Sequence, residues 1–355
     1  MLGAPLENHW INIMAGNVES VSVQPAHPTI HLGERSILLP ATVNAHAHLE
    51  LSQLEAPLDV PNRSMSDWVA ALLAFRRSPD YDAEQGILQA LRRPELWEST
   101  IAVADIVPPI LETADGRRRT VTDETCRWLP FTELIGWRQD QERGAFAPRY
   151  TFGLSPHAPH TVCPALLDWA IRQNIPLAMH LAETPEELQL LRHHTGPLLE
   201  MMRRADSDYD PKTVLHGKRP MDYLQLLSAA PKAFIIHGNY LDDEELQFLA
   251  ARRETMSVVY CPRSLAYFRH SAYPLKKMLD YGVRVLLGTD SLASVPNLNL
   301  VEEIQFAWKQ HPTVSLEIIY RMGTLEGASA LDLPKGFGTI QPGSPAKFVV
   351  LHSHR

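Results

Sequence analysis

At 355 residues, 45% hydrophobic and 21% charged, the chain has the composition of a globular protein with room for one large core or two smaller ones. Its formal charge of −8, from 33 Lys plus Arg against 41 Asp plus Glu, argues against a nucleic-acid partner, because no basic stripe is available to neutralise phosphates. The run Arg117-Arg118-Arg119 is short, flanked by acids, and reads as a solvated loop. Cys126, Cys163 and Cys261 are far apart and lack CxxC spacing, which implies neither a disulfide framework nor a structural zinc knuckle. No apolar run nears the ~20 residues that cross a bilayer, and MLGAPLENHW has no secretory signal pattern, so the expected location is cytoplasmic and no membrane partner is expected.

Eight short runs rich in Val, Ile and Leu recur along the chain. They are ILLPATVNAH (37–46), TIAVADIV (100–107), TCRWLPFTELIG (125–136) and YTFGLSPHAP (150–159), then IPLAMHLAE (175–183), AFIIHGNYL (233–241), TMSVVYCP (255–262) and VRVLLGTDS (283–291). Continuous apolar runs suit parallel strands buried on both faces. Amphipathic segments lie between them: MSDWVAALLAFRR, CPALLDWAIRQN, PEELQLLRHH, DDEELQFLAARR and PLKKMLDYG. Ser66, Asp242 and Asp243 suit helix N-caps, and Gly282 a helix stop.

The alternation predicts an α/β chain forming a (β/α)8 TIM barrel over residues 37–330. An open doubly wound sheet would gather its ligand groups at one switch point, whereas here they end runs one, five, six and eight. Residues 1–36 and 331–355 fall outside the pattern. Pieces such as VESVSVQ, PTIHLGE and GFGTIQPGSPAKFVVL, with a Pro342-Gly343 turn, predict a small composite β domain built from both termini.

Chemistry-bearing residues sit at the ends of these runs. His46 and His48 are two apart, so an extended strand projects both to one face. With His180 and Asp290 they make three imidazoles and a carboxylate, a donor set for one divalent cation, zinc first, with iron and manganese also accepting it. No lysine ends the fourth run to bridge a second ion. Glu183, three residues past His180, is placed to move a proton at a cation-activated water, and His237 to polarise the electrophile or hold the attacking oxygen. Asp290 also serves the proton transfer. Each has a blander role: a hydrogen-bonded core histidine, a helix cap for Asp290, a solvated helix-start carboxylate for Glu183. Their common rim favours the site. His157 in LSPHAPHTV lies on that rim as a substrate contact, and His160 is a further candidate. Loops after the first three runs, with Trp68, Arg76, Arg77, Glu133 and Arg138, are expected to grip the rest of the substrate.

These motifs, His46-Ala47-His48, His180-Leu-Ala-Glu183, His237-Gly238 and Gly288-Thr289-Asp290, resemble the amidohydrolase superfamily, in its cytosine deaminase-like and chlorohydrolase-like branch with one metal. The resemblance runs from about residue 30 to the end and includes GTIQPGSPAKFVVL, where Lys347 replaces the usual acidic residue. HLELS, SPHAPHTV, CPRSLAYF and GTDSLAS look most like aminofutalosine, adenosine and S-adenosylhomocysteine deaminases. The resemblance implies hydrolytic deamination of a purine-like heterocycle, with His157 and Ser294 contacting the base. The small-molecule substrate is the expected partner, and homodimers are common among such relatives. His160 stands where those relatives usually carry Tyr. Hydrolysis of a cyclic amide or ring chloride at the same site is the alternative, and an inactive metal-binding scaffold the remote one.

Overall fold

The computed structural model describes residues 6–25, 29–33, 36–61, 64–108, 126–138 and 152–352. Arg117-Arg118-Arg119 lie outside the described residues. Trp10–Met14 (β1) and Asn17–Ser22 (β2) form an antiparallel hairpin, turned by Ala15 and Gly16 at positive φ of 49° and 77°. Ser36–Pro40 (β3) follows.

The eight expected runs then appear as eight parallel strands in sequence order. They are Thr42–Ala47 (β4), Thr100–Val107 (β5), Arg127–Leu134 (β6), Gly153–Pro156 (β7), Leu177–Leu181 (β8), Ala233–His237 (β9), Met256–Tyr260 (β10) and Val285–Leu287 (β11). β4, β5, β8, β9 and β10 are buried at every position, which is why most of their residues are apolar on both faces, β4 alone alternating polar with apolar. Helices lie between the strands, and residues such as Leu167, Met179, Leu224, Ile235, Leu246 and Val258 pack the two layers into the largest apolar cluster. The (β/α)8 expectation holds.

Local signals and structure differ in a few places. Ser64, not Ser66, caps the helix Met65–Arg76, because its Oγ accepts the Asp67 amide. Asp242 caps Asp243–Ala250 in a reciprocal capping box with Glu245, which makes Asp243 the first helical residue instead of a cap. Gly282 ends Leu275–Tyr281 at φ 87°, as expected. The run 37–46 is also not one strand. Pro40 has no N–H for a ladder, and pairing changes partner there. β3 runs antiparallel to Phe348–His352 (β12), while Thr42 donates to the Ser99 carbonyl and β4 joins the barrel. The chain's two ends meet where Val18 and Ser344 share a backbone bond of 2.8 Å and the Ala346 amide donates to the Gly16 carbonyl. No helix among the described residues is long and apolar enough to cross a membrane.

The barrel closes at the seam between β11 and β4. Thr289 and Asp290 both donate backbone N–H groups to the His46 carbonyl, at 3.0 and 3.1 Å, and Ala47 bridges Asp290 in parallel register. Asn44 reinforces the join: Nδ2 donates to Thr289 Oγ1 at 2.8 Å and Oδ1 accepts the Thr289 amide at 3.1 Å. Gly288 allows the approach, since a Cβ there would lie 2.8 Å from the His46 Cβ. Asn44→Ala should therefore cost about 1–3 kcal/mol by stripping buried partners from the seam, measured as a lowered urea midpoint.

Candidate active site

In β4, Asn44 and His46 alternate with Val43 and Ala45, and His48 continues the series past the strand end, so the polar side chains share one face. His46 is fully buried and neither ring nitrogen has a hydrogen-bond partner among the described residues. An imidazole with two unsatisfied nitrogens in a dry interior is costly unless something else fills the coordination. The neighbours show what does. His46 Nε2 lies 3.8 Å and His48 Nε2 4.0 Å from Asp290 Oδ1, and His48 Nε2 lies 3.4 Å from His180 Nε2. Two overlapping donor groups result, His46–His48–Asp290 and His46–His180–His237, each with its ligand atoms within 4.8 Å of one another. Such separations suit ligand atoms converging on one ion at about 2 Å each.

Each donor is aimed by a neighbour. His180 Nδ1 bonds the His157 carbonyl at 3.1 Å, which puts the proton on Nδ1 and leaves Nε2 as a lone-pair donor. Asp290 Oδ2 accepts from Ser264 Oγ at 2.6 Å and Ser294 Oγ at 3.2 Å, turning Oδ1 to the histidines. The His237 carbonyl accepts from Tyr273 at 3.1 Å. Backbone strain concentrates here: Ala182, His237 and Asp290 hold φ of 54°, 69° and 65°, values that non-glycine residues seldom adopt. Glu187 holds the first of these turns, its two carboxylate oxygens accepting the Ala182 and Glu183 amides at 2.9 and 3.0 Å. Asp105 does the same past His48, accepting the Leu49 amide and the Trp128 indole, both at 2.8 Å.

Burial pushes the pKa values of His46, His48 and His180 well down, and neighbouring charge adds to it. All three are neutral donors at pH 7, as a cation requires. Glu183 behaves oppositely: burial, then the Asp290 charge, pushes its carboxyl up to about 8. A group that exchanges its proton near neutrality suits acid/base work. Its Oε1 lies 3.4 Å from His237 Nε2, facing the same cavity as the donors.

The structure brings His46, His48, His180, His237, Asp290 and Glu183 together at one rim. His157, His160, Trp68, Arg76 and Glu133 line the same pocket. His157 Nδ1 bonds Thr161 Oγ1 at 2.9 Å, and the Trp68 indole donates to the Ala293 carbonyl at 3.0 Å. Ser294 reaches the site through Asp290 and is not on the pocket wall. Arg77 is exposed and off the wall, and Arg138 makes a two-point bond to Asp206. Sequence reasoning missed Asn44, Asp105, Glu187 and Ser264, and also Glu50, whose Oε1 accepts from the Arg76 guanidinium at 2.5 Å. Asp105 had a signal, as the one charge in the apolar run TIAVADIV, and so did Asn44, two residues before His46 on its face.

A parallel barrel with imidazole and carboxylate donors at the carboxyl ends of its strands defines a metal-dependent hydrolase class. The chain belongs to the amidohydrolase family, which matches residues 136–354. It is 28% identical over 313 residues to the aminodeoxyfutalosine deaminase of Deinococcus radiodurans, covering 82% of this chain and 72% of that protein. It is 32% identical over 355 positions to the 5′-deoxyadenosine deaminase of Methanoregula boonei, covering 90% and 72%. Against two archaeal 5-methylthioadenosine/S-adenosylhomocysteine deaminases the match spans about half of their length, 52% and 47%. The fold superposes on Helicobacter pylori aminofutalosine deaminase in complex with methylthio-coformycin with TM-score 0.80 at 21% identity, over 99% of this chain and 88% of that one.

Asp105 yields a pH test. Burial, partly offset by the bonds from Leu49 and Trp128, pushes its carboxyl up to about 8. With the unfolded value at about 3.9, the fold takes up the proton more readily, so this group's contribution is full below about pH 4 and is lost as pH rises through about 8. The stability gap between wild type and Asp105→Asn should narrow over that window, read from urea midpoints at matched pH.

Proposed function

We propose that the chain is a hydrolytic deaminase of a purine-like nucleoside or related N-heterocycle, with one divalent cation held by His46, His48, His180 and Asp290. The observation that carries this reading is the meeting of those donors with Glu183 in one pocket. Three imidazoles and one carboxylate suit zinc, the cation we favour. A cation so bound supplies acidification of water, which makes a nucleophile available near neutral pH.

Glu183 takes a proton from the attacking water and delivers it to the amino group that leaves as ammonia. His237, 3.4 Å from Glu183 Oε1, holds the attacking oxygen in line. Asp290 Oδ1 assists the transfer, its other oxygen being occupied by two serines. His157 faces the base as a neutral imidazole, burial having pushed it down to about 4. Trp68 and the apolar side chains Met65, Leu72, Leu198 and Phe268 exclude water around the ring. Arg76 and Glu133 offer a donor and an acceptor to the substrate's hydroxyl groups. Two relatives that align over most of the chain carry names of deaminases of adenosine-like nucleosides, which supports this substrate class. A cytoplasmic location is supported by three cysteines that form no disulfide.

Ammonia release measured on adenosine, 5′-deoxyadenosine, methylthioadenosine and aminodeoxyfutalosine should find at least one substrate. Silence from all four, with turnover of a lactam or ring chloride, replaces the deaminase reading with the alternative hydrolysis. Glu183→Gln should lower kcat about 10²–10⁴-fold while elemental analysis finds the cation retained. Wild-type turnover in that variant overturns the proton-transfer role.

A further inference from the structure

Lys347 reaches across the fold. Its Nζ lies 3.0 Å from Sγ of Cys126, 221 positions away in the chain. Cys126 immediately precedes β6 and keeps 8% of its surface exposed. The Lys347 ammonium also lies 5.9 Å from the Trp97 ring centroid, and the Lys347 carbonyl accepts the Ala41 amide at 3.1 Å. β12 begins at the next residue. Sulfur and nitrogen are thus held together by elements fixed on both sides, and the gap between them is one that a single oxygen atom spans.

We propose that Cys126 and Lys347 form an oxidant-dependent covalent clasp, a sulfur–oxygen–nitrogen bridge made with hydrogen peroxide. In the first step one peroxide converts the thiol to Sγ–OH and leaves as water. In the second the Lys347 ammonium gives one proton to solvent and the sulfenic oxygen bonds to the Nζ amine so formed. The sulfenic O–H proton, one N–H proton and two electrons reduce a second peroxide to two waters. The sum consumes two peroxides and yields Sγ–O–NH–Cε, three waters and the proton given to solvent. Cys163 and Cys261 are internal controls: they are more deeply buried, at 3% and 1%, and the Cys163 thiol donates to the Arg138 carbonyl instead.

The clasp joins the start of β6 to the segment hydrogen-bonded at the start of β4, at the barrel end opposite the histidine cluster. It therefore stabilises the fold without touching the reacting groups. The full chain is treated with hydrogen peroxide, digested and examined by mass spectrometry beside Cys126→Ser and Lys347→Arg. The expected product is a linked Cys126–Lys347 peptide pair, one oxygen heavier and two hydrogens lighter than its parts. It is absent from both variants and split by dithiothreitol. The wild-type melting temperature should rise by several degrees on oxidation and return on reduction, with no rise in Lys347→Arg. Cys126 left reduced, Cys126 taken to sulfinic acid with Lys347 unmodified, or a melting rise that persists in Lys347→Arg, overturns the clasp.

Discussion

The His46 C=O accepts the amides of Thr289 and Asp290, so the first barrel strand and the last are joined at the residue that carries a donor imidazole. Every other feature of the site presupposes that closure. Without it Asp290 Oδ1 has no histidines to face, and the eight strands form an open sheet with His46 and His48 at one edge, Asp290 beyond the other and His180 between them. Asn44 and Gly288 are best understood as servants of this contact, one bonding across it and the other leaving space for it.

The site itself is assembled against local preference. Two imidazole nitrogens face one another at 3.4 Å, a buried ring lacks partners among the described residues, and three strand ends carry positive φ. The surrounding structure compensates with groups that brace the backbone and the carboxylate. Glu187 and Asp105 each clamp a backbone turn, Ser264 and Ser294 orient a carboxylate, and Tyr273 caps a strained carbonyl. Rules of local structure fail here because the geometry serves the site rather than the chain.

Strands buried on both faces need unbroken apolar runs, which makes them legible in the sequence, and the donors are legible because each ends such a run. Legibility stops where local chemistry and tertiary contact diverge. Pro40 lies inside an apolar run, yet its missing N–H splits that run between two sheets. Ser66 looks as good a cap as Ser64, and only the path of the chain decides between them. The family resemblance puts Ser294 at the base, and local pattern gives no sign of the bond that its hydroxyl makes to the Asp290 carboxylate. Arg138 looks like a substrate hand and is occupied by Asp206, a pairing that spans 68 positions and leaves no trace in local pattern.

The order in which the ribosome delivers the donors has a consequence of its own. His46 and His48 emerge first, His180 and His237 much later, and Asp290 only with the final strand. A nascent chain holding the earlier imidazoles has no carboxylate to complete their grip and no seam to set their spacing. Closure of the cylinder and assembly of the full proposed donor set are therefore one late event, because a polypeptide released short of its eighth strand has neither the seam nor Asp290.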